Sequence, residues 1–220
     1  MKTFTSSHAL FQIFSDHDMD RVFLVPGESY LGLLDALVDF PEIDVVTCRH
    51  EGGAGYMAVA DGRLTRRPGV ALVSRGPGAS NAAIAVHTAQ QDAVPMILII
   101  GQIAARDLRR EAFQEIDYQQ MFGSIAKWVF ECQTPEQIAE AAFKAIRLAT
   151  SGVPGPVVLV IPEDIQQQTV ATPAFINHEQ IFGIPDAATL KVIVDQINQA
   201  QRPLIIAGGA YDCEKWNIRE

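Results

Sequence analysis

The residues best suited to do chemistry are Arg49-His50-Glu51-Gly52-Gly53-Ala54-Gly55. A β-branched run, Val45-Val46-Thr47, leads into them, and a helix-compatible run, Tyr56-Met57-Ala58-Val59-Ala60, follows. Glu51 is therefore expected at a strand-to-helix corner, among residues too small to shield its carboxylate. In open α/β sheets such corners, outside the carboxyl ends of strands, are where ligands bind. An acid there can share a proton with a ligand. It can equally serve as a first-turn residue that favours the helix dipole, and residue type alone leaves both readings open. Gly52, Gly53 and Gly55 each lower helix stability by up to about 1 kcal/mol. Something is thus expected to approach this backbone closely, either a ligand or another subunit.

Gly76-Pro77-Gly78-Ala79-Ser80-Asn81 is the second candidate. Read as a loop between strand and helix, it can turn backbone N–H groups toward an anion. Asn81 stands where the dinucleotide fingerprint has its third glycine, and Pro77 removes one donor. A tight turn with local hydrogen bonds from Ser80 or Asn81 is the other reading. Pro26-Gly27-Glu28-Ser29 reads as a turn with Ser29 as a helix cap. In Ala112-Phe113-Gln114-Glu115, Phe113 is an apolar side chain in polar company and is expected to pack on something. His8, His17, His50, His87 and His178 have no metal-ligand spacing, and no metal site is expected from them. Cys48, Cys132 and Cys213 form neither a disulfide framework nor a metal motif; Cys48 reads as a small buried hydrophobe in a strand.

The elements that must position these residues follow from hydrophobic pattern. Ser6 or Ser7 can cap a helix carrying Ala9, Leu10, Ile13 and Phe14. Strands are expected at Val22–Val25, Asp44–Cys48, Val70–Val73, Met96–Ile100, Lys127–Phe130 and Val157–Ile161. Helices are expected over Leu31–Leu37, from Glu51 to about Leu64, over Ala79–Gln91 and Tyr118–Phe122, and from Thr134-Pro135-Glu136 to about Ala149. Continuous apolar strands suit burial on both faces. Six such strands alternating with helices predict an α/β fold: a doubly wound, mainly parallel six-stranded sheet with helices on both faces. Residues 103–115 form a long polar loop, of a length that is usually functional or disordered.

The chain has 220 residues, 48% of them hydrophobic, and a net charge of -9. The acidic balance speaks against a nucleic-acid partner and against an anionic membrane surface. No apolar stretch approaches the roughly 20 residues of a membrane span, and no secretory leader is evident. A reducing cytoplasm is the expected setting. Residues 1–165 read as one domain and 166–186 as a linker. Residues 187–220 read as the start of a second α/β domain, with a helix through Leu190–Ile197 and a strand at Leu204–Ala207. These last residues are too few to bury a core, so a fragment of a longer protein is expected.

Taken together, Val25-Pro26-Gly27, Arg49-His50-Glu51, Gly76-Pro77-Gly78-Ala79-Ser80-Asn81, Asp92-Ala93-Val94-Pro95-Met96, Gly101-Gln102 and Ala112-Phe113-Gln114-Glu115 form a recognisable series. Lys127-Trp128 and the stretch from Gly155-Pro156-Val157 to Ile161-Pro162 continue it. Over about residues 3–165 the chain resembles the N-terminal, pyrimidine-binding domain of thiamine diphosphate-dependent enzymes, and most of all their acetolactate synthase-like branch. The resemblance implies decarboxylation of a 2-keto acid substrate with carboligation. It also implies a homodimer or higher homo-oligomer whose interface receives the aminopyrimidine ring. Diphosphate and Mg²⁺ would be held by a later domain. Glu51 matches the glutamate that hydrogen-bonds the ring nitrogen N1′ and so promotes loss of the proton from thiazolium C2; the cofactor then serves as electron sink. Pro26, Gly27, Gly76, Pro77 and Asn81 match pocket-lining positions, and Phe113 and Gln114 match the substrate side. Gly208-Gly209 would lie near where some members bind a flavin nucleotide, making FAD a further expected cofactor of the full-length protein. Arg75 and Glu28 depart from the common Ser and Gly of the pattern.

Two other readings remain: a nucleotide-binding α/β domain that uses the Gly76 loop, and a non-catalytic dimerisation or regulatory module on the same fold.

Overall fold

Runs such as Val70–Val73, Met96–Ile100 and Val157–Ile161 have no polar side chain to present to water, and all are fully buried. A computed structural model describes residues 4–172, 183, 185–204, 206 and 208. In it these runs are the central strands of a six-stranded, wholly parallel sheet. The strands are β1 (Arg21–Leu24), β2 (Asp44–Thr47), β3 (Gly69–Ser74), β4 (Met96–Gln102), β5 (Trp128–Glu131) and β6 (Pro156–Pro162), in the order β2-β1-β3-β4-β6-β5. The helices of this body are α1 (Ser6–Asp16), α2 (Leu31–Leu37), α3 (Glu51–Thr65), α4 (Arg75–Gln91), α5 (Tyr118–Phe122) and α6 (Pro135–Thr150). This is the doubly wound α/β fold expected from the alternation of strands and helices.

Successive strand residues point to opposite faces. Leu72, Ile97, Ile99 and Leu159 join Leu10, Phe11, Phe14 and Leu33 under α1, α2 and α6. Ala71, Val73, Leu98 and Ile100 join a layer of alanines, Ala54, Ala58, Ala79, Ala82, Ala85 and Ala89, under α3 and α4. Small residues allow those two helices to pack closely. A Cβ on Gly55 would lie 2.6 Å from Ala85 Cβ.

Several local expectations change. The cap of α1 is Thr5, whose hydroxyl accepts from His8 N; a bridge to Thr169 keeps Thr5 extended. Ser6 and Ser7 are inside the helix and buried, donating to Ile165 O (2.6 Å) and Gln166 O (2.7 Å). Gly76-Pro77-Gly78 is the first turn of α4 and not a loop. The opening N–H groups of a helix have no partner within it, so Pro77 sacrifices no bond there. Ser29 caps no helix, because a 3₁₀ turn, Glu28–Tyr30, precedes α2 and turns Ser29 inward. Cys48 lies beyond the end of β2, half-buried, with Sγ 3.7 Å from Met57 Sδ.

The chain divides into two compact units, Met1–His178 and Glu179–Glu220. In the second, Asp186 caps helix α7 (Ala187–Gln199) by accepting from Ala188 N and Thr189 N, both at 2.9 Å. Its apolar residues Leu190, Val192, Ile193, Val194 and Ile197 are exposed. Leu204 and Ile206 are not in a strand, while Ile205, Ala207 and Gly209 lie outside the described residues, as do Cys213 and His178. Among the described residues no helix is long and apolar enough to cross a membrane.

Candidate active site

The strand order reverses between β1 and β3: the chain leaves β1 for the edge strand β2, then returns past β1 to β3. Such a reversal opens a crevice at the carboxyl ends of the two strands. The Pro26-Gly27 turn follows β1, and Arg75-Gly76-Pro77 follows β3. The glycine at 27 is required by space, since a Cβ there would lie 2.5 Å from Ser74 Cβ and 3.2 Å from the Tyr30 ring.

Glu51 is the first residue of α3 and half-buried. The helix cap is His50, whose Nδ1 accepts from Gly52 N at 3.0 Å. Neutral His50 therefore carries its proton on Nε2. Asn81, two turns into α4, donates from Nδ2 to Glu51 Oε2 at 2.9 Å. Oε1 faces the first turn of α4, where a Cβ on Gly78 would be 3.5 Å away. Among the described residues Asn81 is the one hydrogen-bond partner of this carboxylate, so Oε1 remains a free acceptor. The three glycines after Glu51 do not act alike. Gly52 abuts Asn81 O (3.1 Å) and the His50 ring, and Gly55 abuts Ala85, so α4 itself accounts for both. Gly53 faces open space, with nothing within 4 Å of a Cβ. A carboxylate with one oxygen unused can share a proton with a hydrogen-bonding ring nitrogen of a ligand.

Three residues to which the sequence assigned no part in the site support this corner. Ser29 Oγ donates to Gly101 O (2.9 Å) and accepts from Ser74 Oγ (2.8 Å), joining the ends of β3 and β4 to the β1 turn. Tyr30, fully buried, donates its hydroxyl to Val25 O. Burial, and then the Glu51 charge, push its phenol above the ordinary tyrosine range, so it stays a donor at neutral pH. Arg75, only 9% exposed, pairs with Glu28 Oε1 (3.2 Å) and Glu163 Oε2 (3.1 Å). Sequence signals existed only for the last: Arg75 and Glu28 both depart from the family pattern.

At the loop expected to face the substrate, Gly76 N donates to Gln114 O at 3.0 Å, and a Cβ on Gly76 would lie 2.8 Å from that oxygen. The long loop is thereby fastened to the start of α4. Its backbone turns through positive φ at Arg109, Glu111 and Gln114 (64°, 55° and 65°). Glu115 accepts from Arg109 N (2.5 Å) and Ala112 N (3.1 Å). Phe113, expected to pack, is 73% exposed instead; the backbone bonds hold the loop without its ring. A cavity of about 490 Å³ lies farther along, at the ends of β4 and β5, between Gln102, Arg109, Glu115 and Glu131. It contains neither Glu51 nor the two proline-glycine turns. Burial pushes the Glu131 carboxyl up, opposed by donation from Gln102 Nε2 at 3.3 Å.

The acetolactate synthase large subunit of Corynebacterium glutamicum is 32% identical over 212 residues, covering 93% of this chain and 33% of its own length. The acetolactate synthase isozyme 1 large subunit of Escherichia coli K12 is 32% identical over 231 residues, covering 100% and 39%. The acetolactate synthase large subunit of Buchnera aphidicola is 35% identical over 208 residues, covering 88% and 35%. The chain thus spans about a third of the length of these curated relatives. The family described as "Thiamine pyrophosphate enzyme, N-terminal TPP binding domain" matches residues 4–121, more than half the chain, from α1 past Gln114. The chain with Glu51 at its strand-to-helix corner therefore belongs to the thiamine pyrophosphate enzymes, and holds the N-terminal TPP-binding domain of an acetolactate synthase-like protein.

Proposed function

We propose that this domain receives the pyrimidine half of thiamine diphosphate in an enzyme that decarboxylates a 2-keto acid and transfers the remaining acyl carbon to an acceptor. The observation that carries the reading is the Glu51 carboxylate: one oxygen held by Asn81, the other free, at the corner between β2 and α3. When bound, the cofactor supplies a thiazolium carbon that acts as nucleophile and then as electron sink.

The chain's own residues have simpler tasks. Glu51 would hold or pass a proton at the pyrimidine ring nitrogen through Oε1. Asn81 fixes the carboxylate so that this oxygen points one way. Pro26, Gly27, Gly76 and Pro77 would line the ring's edge from the two turns, with no bulky side chain at the glycines. Phe113 and Gln114 would face the substrate; the exposed phenyl ring offers an apolar surface at the mouth. Water must be kept from the acid for proton sharing to be efficient. We assign that cover to a second copy of the chain, since Tyr56, Met57 and Ile84 expose apolar area on α3 and α4. We assign the diphosphate and Mg²⁺, and FAD if the protein uses one, to parts of the full-length protein outside residues 1–165, and expect these 220 residues alone to be inactive.

A dinucleotide at the start of α4 is disfavoured by two contacts: Gly76 N is already committed to Gln114 O, and the Glu51 carboxylate already lies over that turn. The test is CO2 release from pyruvate by the full-length protein with Mg²⁺, titrated with thiamine diphosphate or NAD. Release that saturates with thiamine diphosphate alone is expected. A protein that binds NAD and ignores thiamine diphosphate would overturn the assignment.

A further inference from the structure

Arg75 occupies an expensive position. Its backbone has φ of 48°, a conformation that side chains with a Cβ rarely adopt. It opens a helix, where a positive charge opposes the dipole. Its side chain is buried, and its Nε–H finds no acceptor among the described residues. Serine would avoid all but the first of these costs.

The contacts that offset them converge on the cofactor corner. Nη1 reaches Glu28 Oε1 at 3.2 Å, directly after the Pro26-Gly27 turn. Nη2 reaches Glu163 Oε2 at 3.1 Å, directly after β6. The adjoining Gly76 N–H holds Gln114 O. Glu28 is itself 69% exposed in its side chain and Glu163 39%, so neither needs the cation for its own solvation. Arg75 needs them. One departure from the family pattern therefore answers the other, because a buried guanidinium without Glu28 would lose a charge-assisted partner.

We propose that Arg75 is a positioning residue: through Glu28 it sets the gap between the Pro26-Gly27 turn and the first turn of α4. Its effect on catalysis rests on the thiamine diphosphate reading above; its effect on the turn does not.

The experiment uses the full-length protein as wild type, Arg75→Ser, Glu28→Gln, the double variant and Arg75→Lys. Backbone hydrogen exchange over residues 27–30 and 112–116, without cofactor, reads the positioning directly. Thiamine diphosphate affinity by calorimetry, and the split between kcat and KM, read its consequence. Arg75→Ser should speed exchange over residues 27–30 and weaken the cofactor, each by about tenfold, the loss of one charge-assisted hydrogen bond, and should leave residues 112–116 unchanged. Glu28→Gln should loosen the same residues 27–30. The double variant should be no worse than Arg75→Ser, and Arg75→Lys should recover part of the loss. Unchanged exchange in folded Arg75→Ser, or losses that multiply in the double variant, would overturn the proposal. If Arg75→Ser does not fold, Glu28→Gln with wild-type exchange at 27–30 overturns it as well. A wild type that binds no thiamine diphosphate refutes the functional reading instead, and the exchange result still decides the role of Arg75.

Discussion

The two faces of the sheet solve the same packing problem with different residues. Under α1, α2 and α6 the core is made of large side chains, with Phe11 set against Phe14 and Phe40 at centroid distances of 6.1 Å. Under α3 and α4 the helices contribute mainly alanine and glycine against the strand residues Val73, Leu98 and Ile100, and the same two helices expose Tyr56, Met57, Leu64 and Ile84. The first face buries most of its large side chains within the chain, at about 1.5–3 kcal/mol each, and leaves Leu31 and Val38 exposed at the ends of α2. The second brings two backbones close together and leaves apolar area uncovered. It is also the face that carries Glu51 and Asn81. On the proposed reading, stability and cofactor binding are divided between opposite sides of one sheet, and a substitution should report on whichever side it strikes.

Phe11→Ala should have the largest effect on stability, about 3–5 kcal/mol, read by denaturant unfolding; a loss under 1 kcal/mol would mean that the aromatic face is not the main anchor. Gly55→Val should cost about 1–3 kcal/mol by forcing α3 from α4. It should also weaken thiamine diphosphate binding, whereas Phe11→Ala should leave the affinity of the folded fraction unchanged. Ile84→Asp should barely alter the unfolding of the chain yet weaken self-association of the full-length protein by at least about tenfold, measured by sedimentation, because a charge is costly in an apolar interface. Glu131→Gln should have the smallest effect. The raised pKa of Glu131 means that its favourable contribution is full below the ordinary carboxylate pKa and is lost as pH rises through the folded value. The variant should therefore melt slightly higher than wild type at pH 7.5 and equally at pH 4.

Much of this division was legible in the sequence. The buried strands carry uninterrupted apolar runs, and α6 has its Thr134-Pro135-Glu136 opening, so sheet and helices followed from local pattern. Glu51 was legible because a β-branched run stops and glycines begin at the same point. The glycines were harder to interpret. Gly52 and Gly55 answer to α4, about thirty residues on, and only Gly53 faces open space. Ser29 and Arg75 were opaque for a related reason: their partners Ser74 and Glu163 lie 45 and 88 positions away. No local periodicity encodes a bond of that range. Phe113 misled because an apolar residue in a polar loop normally packs, whereas here backbone bonds to Glu115 hold the loop and leave the ring exposed.

The central claim is tested most directly by Glu51→Gln in the full-length protein. Glutamine keeps the side-chain volume and can still accept from Asn81, but it cannot exchange a proton with a ring nitrogen. Turnover of pyruvate at saturating thiamine diphosphate should fall by at least about tenfold, with the melting temperature unchanged. Turnover equal to wild type in that folded variant would contradict the account.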